Sequence, residues 1–558
     1  LSDIGYLLAK QDDPTLAVAF LKQSVNMYEA VRSENSELSH TLKESYTSTV
    51  EEVYRDLADL LLQQERIIEA QRTLDLLKVQ ELDSYLRGIR GTEDSRQGVA
   101  LIPFEQEVQD GHSQIVDQAI EIGQRIDELE SQENLNESDE ELLEDLQRRQ
   151  RSVLQEFNSF INSSEIQAKV SQLNTTEQRQ NISLNELSAL QDNLKVLEAD
   201  SVLLYPLILD NRIELVLVSE DSPPIHRPVY VERSVVIETI SELRYALDVP
   251  IRDAVAPAQE LYKWLIEPIE GDLTAANAEA IIYSPDGPLR YVPLAALHDG
   301  ENWLVERLSI TNITAASLTD FNTVPTSNPR ILAGAFSIGE LTVSTQTGDL
   351  NFSGLEYAAE EINGLALLTS NLARFVDEEF TKTIIEREAN RYEILHLATH
   401  AKLLIGQPDD SFILFGDGEV VTLAEMKQGW LNLDRVDLAV LSACETAIGS
   451  EIGNGEEILG FGYLMQAAGA RATIASLWQV DDGGTQILMK SFYEALLSGG
   501  MSKSQALQQA QKELINIADE RRGGFEISLR EGETREEAET RLRHPYYWAS
   551  FILIGNGL

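Results

Sequence analysis

One cysteine, Cys444, in 558 residues rules out an internal disulfide. Such a chain fits a reducing compartment, where an isolated thiol is either a packing residue or a reactive group. Proline is scarce, at 16 residues, while 43% of the chain is hydrophobic, so it builds real cores and does not read as disordered. No uninterrupted apolar run reaches the roughly 18 to 20 residues that cross a bilayer, and no basic segment followed by an apolar one opens the chain. No membrane partner is expected, and the cytoplasm is the expected location. The chain opens on Leu1 inside a helical pattern, which suggests a fragment of a longer protein. Basic residues are the other shortage: 44 against 93 acidic ones leave a net charge of -49. A polyanion would be repelled, so direct nucleic-acid binding is not expected. The acidity serves either solubility or the attraction of a basic partner.

What is present falls into zones, and 558 residues exceed what a single core usually serves. Up to about residue 200 apolar residues recur at helical spacing, as in Tyr54, Leu57, Leu61, Ile68, Leu74 and Leu77, and again from Leu184 to Leu197. Between Asp127 and Asp145 the chain turns strongly acidic, and Asn134, Asn136 and Ser138 break the periodicity. A helical hairpin or loop is predicted there, with a plain solvated face as the alternative. From about 201 to 325 short β-branched runs take over: Val202–Tyr205, Ile213–Val218 and Val229–Val231. Beyond residue 329 strand and helix patterns alternate, which predicts a mostly parallel sheet covered by helices.

The first zone repeats itself. Leu1, Ile4, Gly5, Leu8, Ala17, Leu21 and Ser24 are matched, 53 residues later, by Tyr54, Leu57, Ala58, Leu61, Ala70, Leu74 and Leu77. Small residues stand where two helices must approach closely. The pattern resembles the tetratricopeptide repeat, a helix hairpin whose strict period is about 34 residues. An insertion or degenerate helices must therefore separate the two copies. A groove in such a stack would bind a peptide or a protein regulator.

Two apolar runs end in chemistry-bearing residues. Ile394–His400 ends in a histidine and Val436–Thr446 carries the cysteine, with a helical pattern at 422 to 430 between them. If the runs are neighbouring parallel strands, His400 and Cys444 both emerge at the carboxyl ends, where open α/β sheets form clefts. A histidine there can take a thiol proton and leave the attacking thiolate. A lone buried cysteine can equally be inert packing. His396 and His400 would lie about 13 Å apart on a strand, too far to share a metal ion, and no other ligand spacing stands near them. No metal and no cofactor is expected. His396 is read as a partly buried supporting residue.

His396-Leu397-Ala398-Thr399-His400 together with Leu441-Ser442-Ala443-Cys444-Glu445-Thr446 resembles the paired signature of CHAT domains, a caspase-like family often attached to tetratricopeptide repeats. Asp286–Gly300, Gly460-Phe461, Ala467–Ala470, Ser476–Val480 and Tyr547–Gly555 extend the likeness. The resemblance implies a caspase-like fold related to separases, metacaspases and gingipains, with an associated strand-rich, pseudo-caspase lobe. The expected fold class is thus multidomain: an N-terminal all-α repeat region followed by an α/β caspase-like domain with a mostly parallel central sheet. Tetratricopeptide-like repeats are expected over 1–95, an acidic helical linker over 96–195, the strand-rich lobe over 196–325 and the caspase-like domain over 326–558.

The same resemblance makes Cys444 the nucleophile and His400 its acid/base partner. It places the backbone N–H groups of Ala401 and Cys444 around a developing oxyanion. Many relatives have glycine after the histidine, and alanine serves if its dihedrals need not be those of glycine. Ser442, Glu445 and Trp478 are expected to support the site. The Trp478 motif resembles that of separases, whose final aspartate matches Asp482. This implies a pocket for a basic residue, with Asp481, Asp409 and Asp410 as further candidates; Asp481 and Asp482 can otherwise serve as a turn and N-cap. The expected function is a cysteine endopeptidase that cleaves a protein or peptide substrate after a basic residue, controlled by a protein bound to the helical region. The alternative is a catalytically silent caspase-like scaffold for protein–protein interaction.

Overall fold

Helical periodicity at the start of the chain becomes α1 (Ser2–Lys10), α2 (Pro14–Glu34), α3 (His40–Gln63) and α4 (Ile67–Leu86). The computed structural model describes residues 1–34, 40–86, 98–130, 137–173, 184–196, 200–321, 326–345, 348–402, 404, 408–442, 444–445, 453, 455–478, 482–517, 529–530 and 532–558. Its chain forms two units, Leu1–Leu77 with Arg90–Leu187, and Lys78–Ile89 with Ser188–Leu558.

In the first unit the repeat is visible in the backbone. The turn after α1 and the turn after α3 match residue by residue at the same 53-residue offset: Asp13 N bonds Leu8 O, and Arg66 N bonds Leu61 O. Asp12 (φ 64°) and Glu65 (φ 59°) both take the left-handed conformation that such a turn needs. Gly5 lets α1 approach α2, because a Cβ there would lie 2.7 Å from Leu21 Cγ. The excess over a strict repeat lies partly in α2 and α3, which run to 21 and 24 residues. Two further long helices, α5 (Pro103–Glu130) and α6 (Glu137–Ile161), pack on each other, followed by α7 (Ser164–Leu173). Asn134 and Asn136 lie outside the described residues.

This unit also buries charge. Lys22 Nζ reaches Glu69 (2.5 Å) and Glu105 (2.9 Å), and Arg66 bridges the same two carboxylates. Burial pushes Glu69 upward, but the two cations outweigh it and hold the group below the ordinary carboxylate range.

The second unit is built on an 11-stranded sheet. Its lobe carries β1 (Ser201–Ile208), β2 (Ile213–Ser219), β3 (Ile225–Val229), β4 (Ala280–Tyr283) and β5 (Ser309–Asn312). Next come β6 (Ile331–Ala335), the hairpin β7 (Glu340–Thr345) and β8 (Gly348–Ser353), β9 (Leu372–Val376) and β10 (Ile394–Ala398). The short strands β11 (Ala401–Lys402), β12 (Phe412–Leu414) and β13 (Val420–Thr422) follow. The last are β14 (Leu438–Leu441), β15 (Cys444–Glu445), β16 (Ala472–Ser476) and β17 (Phe551–Gly555). The large sheet runs β3-β2-β1-β4-β5-β17-β16-β14-β10-β6-β9.

Strands β9, β6, β10, β14 and β16 are mutually parallel, and β17 pairs antiparallel with β16 but parallel with β5. The lobe's parallel block therefore runs opposite to the other. The central strands are buried along their whole length, which explains their continuous rather than alternating apolar runs. Pro206 is tolerated inside β1 because the ladder to β4 ends at Leu204. The lobe is not all strand: helices Arg233–Asp248 and Val255–Leu265 pack on each other within it, and Val229 is the last residue of β3.

Candidate functional site

Parallel pairing of β10 with β14 sets Leu397 opposite Leu441, and Ser442 N then donates to Leu397 O at 3.0 Å. Past the strand ends the two chains pair again, Ala401 opposite Cys444 and Lys402 opposite Glu445. The structure thus meets the condition on which the sequence reading of this site rests: the two segments lie at the carboxyl ends of adjacent parallel strands. Ala401 is buried in β11 and is not among the positive-φ residues, so alanine fits where relatives carry glycine.

The side chains tell another story. His400 is 5% exposed and packed against Phe336 and Phe352, with ring centroids 6.2 and 5.1 Å away. Its Nε2 lies 2.7 Å from the carbonyl oxygen of Ser353 at the end of β8. A carbonyl only accepts, so that nitrogen carries the hydrogen. Backbone pairing is described for Cys444 and Glu445, but their side chains, including the chain's one thiol, lie outside the described groups. A general base must stand within hydrogen-bond reach of the proton it takes, and no thiol–imidazole pair is found among the described residues. The expected cysteine endopeptidase, a hydrolase with a His400–Cys444 dyad, is corrected on this ground. The scaffold alternative fits the findings better.

The remaining candidates are dispersed. His396 is fully buried rather than partly so: its Nδ1 meets Tyr493 Oη at 2.9 Å, and its Nε2 lies 2.8 Å from Glu361 Oε1, off hydrogen-bond alignment. Burial, with Glu361 nearby, drives the Tyr493 hydroxyl well above its ordinary range. Ser442 is buried. Asp409 is paired with Lys427, and Asp410 stands beside it in the turn Pro408–Asp410. Asp482 opens the helix Asp482–Leu497, its side chain undescribed, and Asp481 lies outside the described residues. Trp478 is buried, donating from Nε1 to Tyr546 O at 3.0 Å. No group of three or more His, Cys, Asp or Glu among the described residues is arranged to hold a metal ion. No helix there is long and apolar enough to cross a membrane.

Sequence reasoning missed a polar frame within the same unit. Lys78 Nζ meets Asp286 Oδ1 at 2.9 Å, and Asp286 Oδ2 accepts from Ile208 N at 2.8 Å. Arg290 pairs with Glu81, and Tyr291 Oη accepts from Gly453 N (3.3 Å) and Gly455 N (3.2 Å). Gly455 is required both by its φ of 66° and by Arg290 Cβ, which a Cβ would approach to 2.7 Å. The Asp286–Tyr291 motif therefore ties Lys78, Glu81 and β1 to residues 453 and 455, downstream of Cys444 in the chain. Arg244 was also missed, although it interrupts the apolar stripe Val236, Ile240, Leu243 and Leu247 at helical spacing.

A CHAT domain family model matches residues 255–556. The human Tetratricopeptide repeat protein 28 is 24% identical over 350 residues, a match spanning 54% of this chain and 13% of that protein. Its mouse counterpart is 23% identical over 353 residues, with the same coverage. The chain thus spans only a small part of these relatives. Among solved structures, the Saccharomyces cerevisiae separase–securin complex gives a TM-score of 0.37 at 8% identity, covering 97% of this chain and 40% of that one. The Porphyromonas gingivalis RgpB pro- and mature-domain complex gives 0.32 at 11%, covering 59% and 77%. Overlaps of this size do not establish a shared fold.

Proposed function

Because the chain belongs to the CHAT domain family, we propose that it is a protein-interaction scaffold, with helical repeats that recruit a protein or peptide partner and a catalytically silent caspase-like unit. The observation that carries this reading is the repeated helix pair, with the same turn recurring at Asp12 and Glu65. Modules stacked from such pairs offer successive helix faces to a peptide or protein. The likeness to a protein named for tetratricopeptide repeats supports it. So do Met27 and Val31, one turn apart on α2 and 53% and 37% exposed, which offer apolar contacts on that unit. The net charge of -49 favours a basic partner, and a cytoplasmic setting is part of the proposal.

The test compares the full chain with Cys444→Ser and with the double variant Met27→Glu/Val31→Glu, first for partner capture, then for affinity by calorimetry with the purified partner. Cys444→Ser should bind as the wild type does and sustain the cellular role, while the double variant should weaken binding by about tenfold or more. A Cys444→Ser protein that binds normally but loses the cellular role, or a partner cleaved by the wild type alone, would falsify the scaffold reading.

A further inference from the structure

A buried guanidinium normally spends its donors on a carboxylate or on several carbonyls, because an uncompensated cation away from water is costly. Arg244, on the helix Arg233–Asp248, departs from this. It is 6% exposed, yet Nη1 is buried with no hydrogen-bond partner among the described residues. Among the described residues its hydrogen bonds run through Nη2 and are long: 3.5 Å to Asp248 Oδ1 and 3.4 Å to Leu477 O. The side chain of Asp248 is 47% exposed, so that carboxylate is half committed to solvent. Desolvation lowers the Arg244 pKa, with Asp248 and Tyr291 only partly offsetting it, and desolvation likewise raises Asp248 despite the neighbouring cation. The two groups therefore compensate each other incompletely.

The remaining face of the guanidinium is occupied by Trp478, whose ring centroid lies 5.0 Å from Cζ. Cation–π contact holds the group in place but supplies no acceptor for Nη1. Leu477 and Trp478 directly follow β16, so Arg244 reaches the carboxyl end of that strand, the edge where α/β sheets place their ligands. We infer that Arg244 is the receiving group of a carboxylate-binding site at the carboxyl end of β16, and that it takes an acidic peptide side chain or a free carboxylate on its unused Nη1 edge. A planar fork matches a carboxylate through two parallel bonds. Asp248 acts as the internal competitor, holding the cation at long range until a better-aligned carboxylate arrives. Trp478 holds the face of the guanidinium, its indole fixed by the hydrogen bond to Tyr546 O, and leaves the Nη1 edge without an acceptor among the described residues. The inference is independent of what the helical unit binds.

Calorimetry on the full chain tests it with three probes: sodium acetate, a pool of short blocked peptides each carrying one aspartate or glutamate, and the matched asparagine and glutamine pool. The acidic pool should bind and the amide pool should not. Arg244→Gln should weaken binding by at least about thirtyfold, Arg244→Lys should lose part of it with the fork, and Asp248→Asn should bind as tightly or more tightly. Competition by acetate assigns the site to carboxylates in general, and its failure to compete assigns it to acidic peptides. If Arg244→Gln does not fold, the amide pool and Asp248→Asn still decide. The inference is overturned by equal binding of the two pools, by unchanged affinity in a folded Arg244→Gln or Arg244→Lys, by weaker binding in Asp248→Asn, or by no binding of either acetate or the acidic pool.

Discussion

Lys78 and Asp286 are each about 1% exposed and 2.9 Å apart, and a second buried pair, Glu81 with Arg290, stands beside them. Removing one partner of a buried ion pair costs far more than the pair contributes, because the other charge keeps its desolvation penalty. Lys78→Met should therefore destabilise the protein by about 3 to 5 kcal/mol, read as a lower denaturant midpoint. Lys78→Met/Asp286→Asn should recover part of the loss, less than all because Asp286 also accepts from Ile208 N. Arg330→Met, in a surface pair with Glu393, should change stability far less. Equal losses at Lys78 and Arg330 would remove the case for a buried pair. The same reasoning separates Arg244 from its neighbours: it is buried like Lys78 but lacks a comparably close carboxylate.

At the scale of elements, the helix pairs owe their shape to two turns that force ordinary residues into the left-handed region. For a residue with a Cβ this conformation costs roughly 1 to 2 kcal/mol, and aspartate suffers less than most. Glu65→Gly should therefore raise stability by about 1 kcal/mol, and Asp12→Gly by less, both measured by thermal unfolding of the full chain. A drop in midpoint for Glu65→Gly would mean that contacts of the glutamate, not backbone strain, govern that turn. The 53-residue offset was legible in the sequence because small and apolar residues mark the crossing points. The long α2 and α3 were not legible as the source of the extra length, since amphipathic periodicity continues unbroken through a helix of any length. In the lobe, the helices Arg233–Asp248 and Val255–Leu265 escaped notice because the neighbouring β-branched runs dominated the pattern.

The whole molecule carries its net charge of -49 in both folded and unfolded states, but folding brings the charges closer. Stability should therefore rise with salt between about 10 mM and 0.15 M, where the screening length falls from about 30 to about 8 Å. Thermal midpoints measured in sodium chloride and in potassium glutamate should climb together; a flat or falling series would show that paired charges outweigh the general repulsion.

The amino-acid sequence by itself determined the two classes of element and the helix-pair repeat. These depend on periodicity and on short-range chain geometry, which a single sequence displays. Tertiary structure alone decided what the side chains meet. His400 donates to Ser353 O, 47 residues away, and packs against Phe352 from the hairpin β7–β8. Arg244 reaches Leu477 O across 233 residues, and Arg290 meets Glu81 across 209. Such partners are set by the order of strands in the sheet and by how the connecting loops pack back onto it, and no local pattern of residues encodes either.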